Sequence, residues 1–224
     1  MQLADAHGSG HRTIVREPAA RGKGQSGVRV VGESGRAYTG DMPAPAKRRG
    51  AAGAVVFTVG HSTRPIEEFL ALLKAHGVRL LVDVRTVPRS RHNPQFNQEQ
   101  LRTALRGARI GYRHMKGLGG LRHPRKDSPN GAWRNASFRG FADYMQTEEF
   151  TENLGRLVEL AQERQTAIMC AEAVPWRCHR SLIGDALLVR RIGVEEMSSL
   201  SSTRPLTLTP WARVRGKRVL YPPE

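Results

Sequence analysis

Both cysteines of this 224-residue chain, Cys170 and Cys178, stand in one short stretch with Glu172, Arg177, His179 and Arg180. A thiol beside a histidine and an arginine, at the start of a helix, is drawn toward its thiolate by neighbouring cations and by the helix's positive end. Those residue types at that spacing point first to nucleophilic sulfur chemistry. Asp83 or Glu172 could orient the histidine, and Arg85, Arg177 or Arg180 could grip an anionic substrate through paired hydrogen bonds. Cys170, Glu172, Cys178 and His179 would also suit zinc, although their spacing matches no standard finger or ribbon. No cofactor is expected; if a metal binds, zinc is the ion these donors favour. The bland alternative is packing, because free cysteine is often simply a small buried hydrophobe.

The elements that must hold these residues can be read outward from Thr166–Ile192, TAIMCAEAVPWRCHRSLIGDALLVRRI. Residues 166–171 are mostly apolar and read as a central parallel strand. Pro175 and Trp176 mark a turn. From His179 onward Leu182, Ile183, Ala186 and Leu187 follow a helical period. A loop leaving the carboxyl end of a parallel strand and entering a helix is where open α/β sheets keep their chemistry.

Upstream, Ala54–Gly60 reads as a strand and His61-Ser62-Thr63 as a loop. Pro65 opens a helix whose Ile66, Phe69, Leu70 and Leu73 make one apolar stripe. Arg79–Val84 is a second buried strand, and the β-α-β connection predicts that the two strands are parallel neighbours. A helix at about 98–106, a short strand at 110–114, helices at 138–145 and 147–164, and a last strand at 194–200 complete the core. Gly117-Leu-Gly-Gly120 reads as a turn. The segment 201–224 reads as a tail with a small hairpin turning at Gly216-Lys217. Residues 1–53, rich in Gly, Ala, Pro, Arg and Ser, read as a disordered basic extension, with Met42 as an alternative start. The strand ends at Gly60, Val84 and Ala171 would open on one edge of the sheet. His61, Asp83, Arg85 and the cysteine loop are therefore expected in one cleft.

Charge is the strongest compositional signal, +16 over the chain. Between Arg85 and Lys126 eleven Lys/Arg face one acid, Glu99, and residues 1–54 carry most of the remaining excess. Arg91, Arg113, Lys116, Arg122, Arg125 and Lys126, interleaved with Phe96, Tyr112 and Trp133, could neutralise phosphates while the aromatics stack on unpaired bases. DNA, RNA or another phosphate-bearing ligand is the partner this predicts. The alternative is a solvated basic face. No run approaches the roughly 20 apolar residues that cross a bilayer, so no membrane partner is expected. With no apolar leader and two cysteines that should stay reduced, a cytoplasmic location is predicted. Oligomeric state is not legible.

Four stretches in order, TVGHSTRPIEEFLALL, LLVDVRTVPRSRHNPQFN, GYRHMKGLGG and IMCAEAVPWRCHRSLIGDAL, resemble the domain of unknown function 488 family over about residues 55–200. The tail LTPWARVRGKRVLYPP is similar to tails on some members. The resemblance implies a compact α/β domain without an established activity, in a family whose members are sometimes labelled as associated with DNA repair. The positions matching its polar motifs are His61, Ser62, Asp83, Arg85, Pro88, Arg89, Cys170, Glu172, Cys178, His179 and Arg180. An Asp-x-Arg after one strand and a cysteine loop after another also resemble the layout of sulfurtransferases. The spacing departs from theirs, and six residues between Cys170 and Arg177 depart from the five of tyrosine phosphatases. The expectation is one α/β domain of three layers, a mainly parallel β-sheet flanked by helices. Its function is read as a cysteine-dependent enzyme on an anionic or nucleic-acid-derived substrate. A non-catalytic nucleic-acid-binding module and a metal-binding protein are the alternatives.

Overall fold

Thr166–Cys170 and Leu80–Asp83 are buried at every position, as strands covered by helices on both faces must be. The computed structural model describes residues 54–223; the predicted extension 1–53 and the alternative start at Met42 lie outside the described residues. In chain order the elements are β1 (Val55–Gly60), α1 (Ile66–Ala75), β2 (Leu80–Asp83), α2 (Gln98–Gly107) and β3 (Gly111–His114). Then come α3 (Ala136–Tyr144), α4 (Glu148–Glu163), β4 (Thr166–Cys170), α5 (Arg180–Leu188), β5 (Gly193–Met197) and β6 (Thr203–Pro205). A hairpin of β7 (Arg213–Arg215) and β8 (Arg218–Leu220) turns at Gly216-Lys217, as the sequence predicts.

The sheet order is β3-β2-β4-β1-β5-β6, parallel except for β6. β1 and β2 are parallel but are not neighbours, contrary to the expectation from their β-α-β connection. β4 lies between them, with Thr166 opposite both Val56 and Leu80. Burial at every position of β4 fits the insertion, because a strand with neighbours on both sides is covered on both faces. β6 was not read from the sequence; it adds to β5 after the serine turn at 198–202, which ends β5 at Met197.

Side-chain alternation divides the interior into two cores. Val59, Leu81, Ala167 and Met169 pack with α1 and α2, whereas Val56, Val82, Ile168 and Cys170 pack with α3, α4, α5 and Tyr221. This is the predicted three-layer α/β arrangement. α3 and α4 begin on side-chain caps, Asn135 and Thr147. No helix among the described residues is long and apolar enough to cross a membrane.

Candidate active site

β4 ends at Cys170, and the following loop folds back over the end of β1. The N–H groups of His61 and Ser62 donate to the carbonyls of Cys170 (3.0 Å) and Ala171 (2.9 Å), carrying the β1–β4 pairing into the loop. Gly60 lies directly against the Glu172 carbonyl, where a Cβ would stand 1.8 Å from the oxygen, so only glycine lets the loop seat there. A single 3-10 turn, Pro175–Arg177, then returns the chain to Cys178, 3% exposed.

The Cys178 sulfur is a meeting point. Arg180 Nε donates to it at 3.4 Å and His179 Nδ1 stands 3.6 Å away. The Cys170 and Cys178 sulfurs and a His179 ring nitrogen all lie within 4.8 Å of one another. The hydrogen bond from Cys170 pulls the Cys178 thiol down to about 3, against the opposing effect of burial and with the help of His179 and Arg180. That same hydrogen bond, with burial, pushes Cys170 well above its ordinary value. The two shifts run in opposite directions and favour a thiolate at Cys178 with the proton kept on Cys170.

The His179 ring is held from three sides. Nε2 is 3.1 Å from the Val84 carbonyl, which can only accept, so Nε2 carries a proton and Nδ1 is turned to the sulfur. Phe141 packs against the ring at 5.0 Å. Gly120 forms the third wall, where a Cβ would stand 2.4 Å from Nδ1. Engaged in this way, the ring does not cap α5, although His179 holds the N-cap position. The orienting acceptor is thus the main chain at the end of β2, not Asp83 or Glu172 as the sequence suggested.

Arg180 is fully buried and its nitrogens are committed. Nη1 donates to Thr58 Oγ1 at 2.8 Å, Nη2 to the Glu172 carbonyl at 2.6 Å, and Nε to the Cys178 sulfur. Arg180 therefore ties the Cys178 sulfur to β1 and to the loop, with each of its three nitrogens on a protein partner. The three sulfur and nitrogen donors form the set a zinc ion would use, without the exposed Glu172 side chain. The Arg180 guanidinium already supplies positive charge at the same sulfur.

Asp83, Arg85 and His61 form a separate cluster. Asp83 follows Leu81 in the alternation and faces α1 and α2, whereas Cys170 faces α3–α5. Arg85 binds Asp83 through both nitrogens, Nε–Oδ1 at 2.9 Å and Nη2–Oδ2 at 2.6 Å, and donates to the Phe96 carbonyl at 2.8 Å. Tyr112 donates to Asp83 Oδ2 at 2.9 Å, and burial pushes that phenol up. His61 stacks on Phe96 at 4.2 Å and takes a hydrogen bond from Arg85 at 3.3 Å through Nε2, while Nδ1–H donates to the Ser62 carbonyl at 2.8 Å. Burial holds His61 down at about 4, so it is neutral. Ser62 itself sits at φ 48°, in the left-handed region. The expected single cleft is in fact two groups on opposite faces of the sheet's carboxyl edge, because successive strand residues point to opposite faces.

Of the predicted basic contacts, Arg89, Arg91, Arg113, Lys116 and Lys126 are exposed. Arg122 lies 3.5 Å over the Tyr144 ring, and Arg125 pairs with Asp127 at 2.6 Å. Arg177, exposed in the cysteine loop, lines a cavity of about 390 Å³ with Trp133, Asn135, Phe138, Glu172 and Trp176. Sequence reasoning missed Gly120, Phe141, Thr58 and the Val84 carbonyl. Only Gly120 left a signal, a glycine run that reads as a turn and in fact clears space for the His179 ring.

No curated protein and no solved structure matches this chain. The sequence profile described as "Domain of unknown function DUF488" matches residues 65–187, which span β2, the glycine run, Cys170, Cys178, His179 and Arg180. Since the match covers more than half of the sequence and contains the whole sulfur-centred group, the chain belongs to the DUF488 family.

Proposed function

We propose that this protein is a cysteine-dependent enzyme acting on an anionic substrate, with Cys178 as the nucleophile. One observation carries the reading: at the amino end of α5, the Cys178 sulfur is surrounded by the Cys170 thiol, His179 Nδ1 and Arg180 Nε. The Cys170 thiol and the Arg180 N–H donate to this sulfur and the His179 ring faces it, surroundings that stabilise a thiolate at neutral pH. In the reaction the thiolate attacks an electrophilic centre of the substrate, forming a sulfur–substrate bond as the bond to the leaving group breaks and that group departs with the electron pair. His179, whose Nε2–H is held by the Val84 carbonyl, exchanges a proton at Nδ1. Arg177 is the exposed guanidinium nearest in sequence to the nucleophile, and it receives the substrate's negative charge. Cys178 is 3% exposed, so substrate reaches the sulfur only when its surroundings give way.

Alkylation by iodoacetamide, followed residue by residue with mass spectrometry, tests this. The thiolate of Cys178 persists wherever the pH exceeds about 3, so its alkylation rate is expected to stay level from about pH 5 to pH 8. An ordinary thiol with a pKa near 8.5 instead slows about tenfold for each pH unit below that value. Cys170, protonated, should label far more slowly. If Cys178 in the folded protein labels only as the pH rises toward 9, the reading fails.

A further inference from the structure

The cavity beside the cysteine loop has walls of a definite chemistry. Trp176 is 60% exposed at its rim, and the Arg204 guanidinium lies 5.3 Å from the centre of its ring. Arg204 is itself anchored on Glu196 at 2.8 Å, so the indole is backed on one face and open to a planar partner on the other. Trp133 and Phe138, packed together at 4.8 Å, form a second aromatic wall. Trp133 Nε1 is the one buried side-chain polar atom among the described residues that has no hydrogen-bond partner. Glu172 can only accept hydrogen bonds and Arg177 can only donate them. Arg139, which donates to the Trp133 carbonyl at 3.3 Å, adds a further cation next to the Trp133 wall.

From this cavity we infer that the substrate is a nucleotide, its base stacked on Trp176 and its phosphate on Arg177. The inference deepens the reading of Cys178 as a nucleophile and rests on that reading for any chemistry that follows binding. A flat ring with polar edges is the ligand that suits an open indole in a cavity also lined by a carboxylate and a guanidinium. The Glu172 carboxylate accepts from an exocyclic amine or a sugar hydroxyl. Arg177 and the chain's +16 charge favour the phosphate. A volume of about 390 Å³ lies within the range of small-molecule sites, roughly 300–1,000 Å³. Because Arg177 directly precedes Cys178, a phosphate held there stands next to the sulfur-bearing turn.

The test is calorimetric titration of the full chain with deoxyadenosine monophosphate, with a short single-stranded oligodeoxynucleotide and with inorganic phosphate. Saturable binding of the mononucleotide identifies free nucleotides as the source, and saturation by the oligonucleotide alone identifies a strand. Either result supports the inference, provided that Trp176→Ala weakens binding roughly tenfold or more while Trp176→Phe retains it within a few-fold. Trp176 is exposed, so neither variant threatens folding. Phosphate binding as tightly as the nucleotide, undiminished binding by Trp176→Ala, or no saturation by any ligand overturns it. Alkylation of Cys178 is scored separately in the unmodified chain. Fast alkylation without nucleotide binding removes this inference alone, and slow alkylation with intact binding removes only the enzyme reading.

Discussion

A thiolate at Cys178 depends on atoms drawn from distant parts of the chain: the Val84 carbonyl, the bare Cα of Gly120, the Cys170 thiol and the Arg180 guanidinium. Gly120 is the most exposed to test, because nothing but the missing methyl recommends it. Gly120→Ala puts a carbon 2.4 Å from His179 Nδ1, and the ring must leave the sulfur to relieve that contact. Losing one such hydrogen bond, about 1–2 kcal/mol, should raise the alkylation midpoint of Cys178 by about one pH unit. Iodoacetamide rates measured across the acid range read this directly, and a midpoint that does not move would mean Gly120 does not position the ring. Asp83 and Arg85 belong to a different kind of residue. They bind each other, and Phe96, His61 and Tyr112 take up further hydrogen bonds, so the pair ties together the sheet's edge.

Among the elements, the C-terminal hairpin is the one whose importance exceeds its size. Tyr221, just after β8, is fully buried; its hydroxyl donates to Asp185 Oδ2 on α5 at 2.7 Å. Its N–H donates to Asn130 Oδ1 at 2.9 Å, and its carbonyl accepts from Ala132 at 3.0 Å. The long glycine- and arginine-rich loop that carries Trp133 is thereby tied to α5, whose amino end carries Cys178. Asn130 and Ser128 in turn donate to Asp143 on α3. Tyr221→Phe strips a buried carboxyl of its hydroxyl partner and should cost about 1–3 kcal/mol, read from the urea midpoint. An unchanged midpoint would show that Asp185 is satisfied by the Thr209 N–H alone, which donates to Oδ1 at 3.0 Å.

For the molecule as a whole, acid stability follows from a buried histidine that the fold keeps neutral. His61, 1% exposed, titrates near 4 in the folded protein and near 6.5 when unfolded. Below pH 6.5 the unfolded chain takes up a proton that the folded one refuses. Stability from this site is therefore complete above pH 6.5 and drains away as the pH falls toward 4, by about 3 kcal/mol. Urea unfolding at pH 7 and at pH 4 should show that loss, and His61→Gln, which cannot titrate, should show a loss smaller by about that amount. Equal losses in both proteins would mean that another group governs the acid limit. The basic surface acts at the same scale. Arg89, Arg91, Arg113, Lys116 and Lys126 are all exposed, so the positive charge they carry stands at the solvent face.

Much of this protein was legible in its residue pattern, because local order answers to local periodicity. The apolar runs of β2 and β4, the stripe of α1 and the two-residue turn of the hairpin all lie where their own few residues require them. The four polar stretches likewise carried the family, and the clustering of both cysteines with His179 and Arg180 was plain from spacing. Strand order was not legible, since it depends on where β4 inserts. The insertion decided what the polar residues touch. Strand alternation then sent Asp83 to one face of the sheet and Cys170 to the other, turned Arg85 to a carboxylate and Arg180 to a sulfur, and left His179 to the Val84 carbonyl. Residue types set the available chemistry; only the packed sheet chose the partners, because hydrogen bonds between residues 95 or 122 positions apart exist solely once the strands are in place.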